Sequence, residues 1–238
     1  MSKAVVMAGI KYIQIFGVQR SSTSYTSNLV MHNSENMLIS ADRKHAPARS
    51  GKEIEAGLTK MLSNDNERVR DRASGMINNL FVLNKKMHPL IAIKNPYSWY
   101  QSICRWVPLY NKKFNLENWY IKYNNAYKSW RELLENPHKP FGSGRIVCYE
   151  ESLKNPTELL NYVRDNYGVV LKNKIIIPDR MSSAKDDGKE LKFFTEERKN
   201  FYLQDNDFGL SKDLLKKITE LVDWRLMEFY NYKPKEVI

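Results

Sequence analysis

The sequence predicts an α/β domain with three layers, α/β/α, around a central and mainly parallel sheet of four to five strands. Three observations carry that expectation. Short apolar, β-branched segments recur along the chain. Most are nearly continuous rather than alternating, which suits strands buried on both faces of a parallel sheet. Segments with helical spacing separate them, the order that a doubly wound sheet needs. At 238 residues the chain is long enough for one such domain with a sizeable core. No internal repeat, low-complexity tract or linker composition divides it, so residues 1–238 read as a single domain.

The first strand is expected in "KYIQIFGV" (11–18), and a helix over 24–33 follows it. "NMLISAD" (36–42) is the second strand, and helical patterns at 53–62 and 69–86 fill the gap before the third, "PLIAIKN" (89–95). "SWYQSICRWVPLY" continues as a helix. Leu116, Tyr120, Tyr123, Tyr127, Trp130 and Leu134 then recur every three or four residues, an aromatic stripe that reads as a core face. "RIVCYEE" (145–151) is the fourth strand. Pro156 suits the first turn of the next helix, whose apolar face is Leu159, Leu160 and Val163. "NKIIIPD" (173–179) is a candidate fifth strand, 180–192 reads as a polar loop, and Leu215, Ile218, Val222, Leu226 and Phe229 form one final amphipathic helix.

Composition narrows the function classes. Thirty-eight Lys and Arg against 27 Asp and Glu give a net charge of +11, a surface that attracts anions such as nucleotides, sulfated or phosphorylated substrates, nucleic acid or anionic lipid. Cys104 and Cys148 are the only cysteines and neither lies in a CxxC or Cys/His cluster, which fits a reducing, cytoplasmic location and argues against a disulfide framework or structural zinc. "AVVMAGI" after Lys3 is too short for a signal peptide's apolar region, and no run approaches the roughly 20 apolar residues of a membrane span.

The chemistry is expected at two corners. "FGVQRSSTSY" (16–25) leaves the first strand with Arg20 and four hydroxyls, Ser21, Ser22, Thr23 and Ser24, where a plain turn favours Gly, Asn or Pro. At the carboxyl end of a strand, a helix N-terminus offers free N–H groups and partial positive charge, to which Arg20 adds a full one. A Walker-type loop requires Gly-Lys where Ser22-Thr23 stand, so an ordinary ATPase or GTPase is disfavoured. The loop by itself is equally a strand-to-helix turn with Ser or Thr as N-cap, which needs only one hydroxyl. The second corner is "IAIKNPYSWYQSI" (91–103): Lys94 ends a buried strand, and Ser102, eight residues on, lies in the second turn of the following helix, so both can face one anion.

Together these segments resemble the sulfotransferases that use 3′-phosphoadenosine 5′-phosphosulfate (PAPS). "RSSTS" (20–24) is similar to the family's 5′-phosphosulfate loop, [KR]-S-G-T-[ST]. "KNPYSWYQS" (94–102) has the spacing of its 3′-phosphate motif, R-[DN]-P with a later Ser. "IVCYEESLKNP" (146–156) looks like its strand ending in Y-E-[DE]-L with a following N-P. The resemblance covers about 10–165. It implies a P-loop-like sulfotransferase architecture, PAPS as donor, no metal, and donor contacts from Arg20, Ser21, Ser22, Thr23, Ser24, Lys94, Ser102 and Tyr149, the last against adenine.

This chain departs from the pattern in three places. Ser22 replaces the loop glycine, Lys94 replaces an Arg and loses its bidentate fork, and the C-terminal R-K-G-x-x-G-D-W segment is missing. Arg180, Lys185 and Lys189 lie in roughly that region.

Sulfuryl transfer needs a proton acceptor beside the incoming hydroxyl or amine. "RKHAP", with Lys44 and His45, resembles the family's K-T-H-x-P segment with one residue fewer between the two; His45, Lys44 and Arg20 are the catalytic candidates, and an exposed loop histidine is the equal alternative for His45. The rival bases are carboxylates, Glu35 or Glu53. His32 is expected to end the first helix as a cation favoured by its dipole, and His88 and His138 are not placed for chemistry. The acceptor is unassigned, with an acidic one favoured by the net charge. Two other classes compete: a Mg-ATP-dependent small-molecule kinase with an atypical phosphate loop, and an inactive basic protein that binds nucleic acid. The latter lacks any helix-turn-helix, zinc-finger or RNP motif.

Overall fold

A computed structural model of the chain describes residues 11–40, 88–106, 115–135, 144–177, 196–203 and 207–236, with Gly9, Ser63, Asp65 and Glu67 as isolated positions. Four strands, β1 (Lys11–Phe16), β2 (Met37–Ser40), β3 (His88–Ile93) and β4 (Arg145–Cys148), form one sheet in the order β2-β1-β3-β4. All three pairings are parallel, with Ile13 opposite Ile39, Ile15 opposite Leu90 and Ile91 opposite Ile146.

The continuous apolar runs are explained by burial on both faces. Leu90 and Ala92 of β3 join Ile13 and Ile15 on one face, under α1 (Thr23–His32), α4 (Tyr149–Lys154), α5 (Pro156–Tyr167) and α6 (Glu196–Leu203). Ile91 and Ile93 join Phe16 and Val18 on the other, under α2 (Pro96–Trp106), α3 (Leu116–Glu135), α7 (Lys212–Leu221) and α8 (Trp224–Phe229). Because successive strand residues point to opposite faces, each β3 residue has a helical layer to bury against.

The aromatic stripe of α3 is core, as its spacing implies, and it also satisfies backbone. Tyr120, Tyr123 and Tyr127 are fully buried, and their hydroxyls donate to the carbonyls of Pro96, Lys94 and Ala92, each at 2.9 Å. A tyrosine brings a large apolar ring with a polar tip, and here three tips fasten the end of β3 and the start of α2.

Three expectations are corrected. Residues 173–177 are not a fifth strand. The Asn33 side chain pairs with that segment instead, donating to Ile176 O at 2.7 Å and accepting from Ile176 N–H at 2.6 Å. One amide thereby does the work of a strand partner, and an isolated antiparallel bridge joins Ser34 to Leu171. The final helix is two helices, broken at Val222 and restarted by Asp223, whose carboxylate caps Leu226 N–H at 3.1 Å. The fourth strand stops at Cys148, and Tyr149 opens α4 rather than ending the strand. The helical patterns at 53–62 and 69–86 and the polar loop at 180–192 lie outside the described residues.

Among the described residues no helix is long and apolar enough to cross a membrane.

Candidate functional site

The strand order itself marks a crevice. From β1 the chain goes to β2 on one side and returns to β3 on the other, so the connections diverge at the carboxyl ends of β1 and β3. Open α/β sheets bind ligands at such a point. Both sequence-predicted corners, the 17–22 loop and Lys94, follow those two strands.

The loop is built to be tight. Both the N–H and the hydroxyl of Ser21 donate to Val18 O, at 3.1 and 2.7 Å, which commits that buried side chain to the shape of the turn. Arg20 and Ser22 hold φ of 67° and 75°, the left-handed region that favours glycine. Ser22 stands where the resembled family has glycine, and its backbone adopts the glycine-like conformation. Its Oγ is buried without a hydrogen-bond partner and does not cap the helix.

The helical ladder of α1 starts with Thr26 N–H donating to Ser22 O at 2.9 Å, so the amides of Thr23 and Ser24 precede it. With no acidic residue in that first turn, the positive end of the helix dipole is uncompensated locally. Trp99 Nε1 of α2 donates to Gln19 O at 2.7 Å and fixes the loop against the neighbouring helix.

Gly17 is required by space. A Cβ there would lie 2.6 Å from Thr23 Cγ2 and 2.7 Å from the backbone oxygen of Ala92, which cannot retreat without bending β3. Gly17→Ala is expected to destabilise the fold by about 1–3 kcal/mol through this overpacking. Urea denaturation checks it, and a midpoint equal to the wild type's would refute the close approach.

The second corner holds together as the eight-residue spacing implies. Lys94 Nζ donates to Ser102 Oγ at 2.7 Å, and Ser102 in turn donates to Ser98 O at 3.1 Å. Lys94 is buried, at 3% exposure, with its ammonium 4.2 Å from the centre of the Tyr202 ring and 4.9 Å from that of Tyr149. Burial pushes its pKa down to about 8. Tyr202 and Glu150 oppose that fall, and Arg20 adds to it, so the two corners share one electrostatic environment.

Glu150 organises the floor of the site. Its Oε1 accepts from Asn95 N–H at 3.1 Å and from Ser98 Oγ at 3.2 Å, and its Oε2 accepts from Tyr232 OH at 2.5 Å. Burial raises this carboxyl above the usual carboxylate range, against the pull of Tyr232 and Lys94. The start of α2, the first turn of α4 and the C-terminal segment are thus joined at one acid.

The predicted residues are placed unevenly. Arg20, Ser21, Ser22, Thr23 and Ser24 form the first corner, and Lys94, Ser102 and Tyr149 meet at the second. His45, Lys44, Glu53, Arg180, Lys185, Lys189 and His138 lie outside the described residues. Glu35 is exposed just before β2, at the amino-terminal edge of the sheet and away from both corners. His32 ends α1, but burial and the charge of Lys172 lower its pKa, which opposes the cation expected there. His88 opens β3 and stacks on Tyr167 with ring centroids 4.2 Å apart, far from the carboxyl ends.

Sequence reasoning did not single out Tyr202, which lies in a short helix with a weak apolar pattern, or the anchoring roles of Trp99 and Tyr232. Among the described residues no three His, Cys, Asp or Glu side chains converge on a metal position.

Among solved structures, the chain is similar to the sulfotransferase domain from the curacin biosynthetic pathway. The identity is 14% and the TM-score 0.43, over 95% of this chain and 99% of that one. The likeness is one of overall outline and assigns no residue a role. No family model and no curated protein matches the sequence.

Proposed function

We propose that this chain is a sulfotransferase that moves a sulfuryl group from PAPS to a hydroxyl or amine acceptor by in-line attack, without a metal. The observation that carries the reading is the meeting of two cationic corners at the β1/β3 crevice: the Arg20 loop at the start of α1, and the buried Lys94–Ser102 pair. A nucleotide with phosphate groups at both ends of its ribose asks for two such corners. The residues fit that ligand: Ser22 Oγ is buried without a partner where a phosphosulfate oxygen would satisfy it.

In this reading Arg20, Thr23 and Ser24 hold the 5′-phosphosulfate, Lys94 and Ser102 the 3′-phosphate, and Tyr149 the adenine. The donor supplies a sulfuryl group on a phosphate leaving group. The acceptor oxygen or nitrogen bonds to sulfur as the bond from sulfur to the bridging oxygen breaks, and the acceptor proton passes to a base, His45 or Glu53. Arg20 stabilises charge on the departing phosphate. Lys44, beside His45, is assigned to the same chemistry. Ser21, tied to Val18, contributes loop shape.

Isothermal titration with the product nucleotide, adenosine 3′,5′-bisphosphate, tests the proposal. Binding should occur without Mg²⁺ and weaken roughly tenfold in Arg20→Ala. Absence of binding, indifference to that substitution, or a preference for Mg-ATP would overturn it, the last in favour of a kinase.

A further inference from the structure

Lys94 is the cation on which the nucleotide reading depends, yet a side chain of this protein already covers it. Tyr202 of α6 places its ring 4.2 Å from Lys94 Nζ, closer than the 4.9 Å of Tyr149. Tyr202 is 7% exposed and meets Tyr149 edge-on at 5.0 Å, so the phenol, the lysine and the second tyrosine form one closed cluster. A cation held against an aromatic face in a desolvated setting is stabilised by the ring. An anion that needs this ammonium must displace what stands against it.

The elements around Lys94 are not equally fixed. Ser102 belongs to α2, whose start is held by Glu150 and by Tyr120. Tyr149 continues directly from β4 and supports Ser152 through its carbonyl, at 2.9 Å. By contrast α6 has eight residues and opens with exposed Glu196 and Glu197. Among the described residues it buries Tyr202, with Phe201 and Leu203 partly buried against the core and Phe201 5.9 Å from Phe208. Its packing is against α4. A helix this short is marginal without tertiary contacts, and an element with few buried apolar contacts opens at low free-energy cost.

We propose that Tyr202 is a built-in plug on the Lys94 anion subsite, and that a phosphate arriving at Lys94 and Ser102 displaces the phenol and loosens α6. This rests on the nucleotide reading for the identity of the anion, and on geometry for the plug. It makes the subsite self-occupied in the free protein, so that only a ligand with a second anionic group gains by opening it.

Hydrogen exchange on the wild-type protein, with and without saturating adenosine 3′,5′-bisphosphate, reads this directly. Exchange should slow over 17–24 and quicken over 196–203. Protection of both segments overturns the plug. Titration of Tyr202→Leu supplies the second reading: the bisphosphate should bind roughly three- to tenfold more tightly than to wild type. Adenosine 5′-monophosphate, which has no 3′-phosphate, should bind the two proteins alike. Equal bisphosphate affinities overturn the plug and leave the nucleotide reading standing.

If the bisphosphate binds neither protein, the nucleotide reading fails. The plug is then judged by amine acetylation of Lys94 followed by mass spectrometry. A several-fold faster reaction in Tyr202→Leu upholds it and equal rates overturn it. Tyr202→Phe, which keeps the ring and its packing, should acetylate between the two and decides the question if the leucine variant does not fold.

Discussion

Lys94→Met is expected to weaken binding of adenosine 3′,5′-bisphosphate by about two orders of magnitude, about 2–4 kcal/mol, while the chain still folds. The loss is large because Lys94 acts inside the protein, where little solvent screens it: its ammonium is buried against Ser102, Tyr149 and Tyr202. The methionine chain fills the same volume without the charge, so packing survives and the anion partner does not. Titration calorimetry measures the change, and an affinity within threefold of wild type would remove Lys94 from the site.

The same residue predicts a pH profile. Burial lowers its pKa to about 8 in the free protein. Affinity for the bisphosphate should therefore fall as pH rises from about 7.5 to 9.5, a window in which phosphate groups are already fully ionised. Lys94→Arg, which stays protonated throughout, should flatten that fall.

Stability runs the other way. Between about 8 and the model-compound value of 10.5 the folded chain binds fewer protons at Lys94 than the unfolded chain does. Its contribution is fully present above the unfolded value and is lost as pH falls through about 8. Thermal unfolding of wild type and Lys94→Met across that range should show the difference, and parallel curves would contradict the lowered pKa.

Glu150→Leu should be the most destabilising single change at the site, by about 3–5 kcal/mol. It strands two donors at once, Asn95 N–H and Tyr232 OH, while Ser98 OH keeps Asn95 O at 3.1 Å, and it removes the carboxylate that supports the Lys94 charge. Buried donors left without acceptors cost more than their hydrogen bonds contributed. For a chain of this length the fall in Tm is roughly 6–20 °C. Tyr232→Phe, which removes one donor and leaves the acid in place, should cost only about 1 kcal/mol. A calorimetric melt of Glu150→Leu within 2 °C of wild type, a threshold of about 1 kcal/mol, would show that the acid does not hold these elements.

Much of the architecture was legible in local pattern. "PLIAIKN" announces a strand buried on both faces because every position in it is apolar up to Lys94, and β3 is that strand. Pro156 marks the start of α5 because its fixed φ suits a first turn. The eight-residue step from Lys94 to Ser102 runs from a strand end into the second helical turn, and Nζ and Oγ meet at 2.7 Å. The role of Tyr202 was not legible. It reaches Lys94 from 108 positions away in sequence, on a helix whose own pattern carries little signal.

Two of the elements that local pattern misjudged share a cause, and it separates what the sequence determined from what the folded chain decided. Periodicity settled where apolar faces exist: the buried strands, the aromatic side of α3, and the two basic corners at the carboxyl ends of strands. Where a segment finds its backbone partners is a tertiary matter. "NKIIIPD" has the composition of a strand, yet Ile176 gives both its N–H and its carbonyl to the Asn33 amide, 143 positions away. The 215–229 pattern has the apolar spacing of one helix. The Asn124 amide of α3 accepts from Asp223 N–H at 3.2 Å and donates to Leu221 O at 2.9 Å, which lets the chain break there. An asparagine side chain carries one acceptor and one donor group, the same pair a peptide presents. It can replace a strand neighbour or a helical turn wherever the fold brings it, and no local pattern records that meeting.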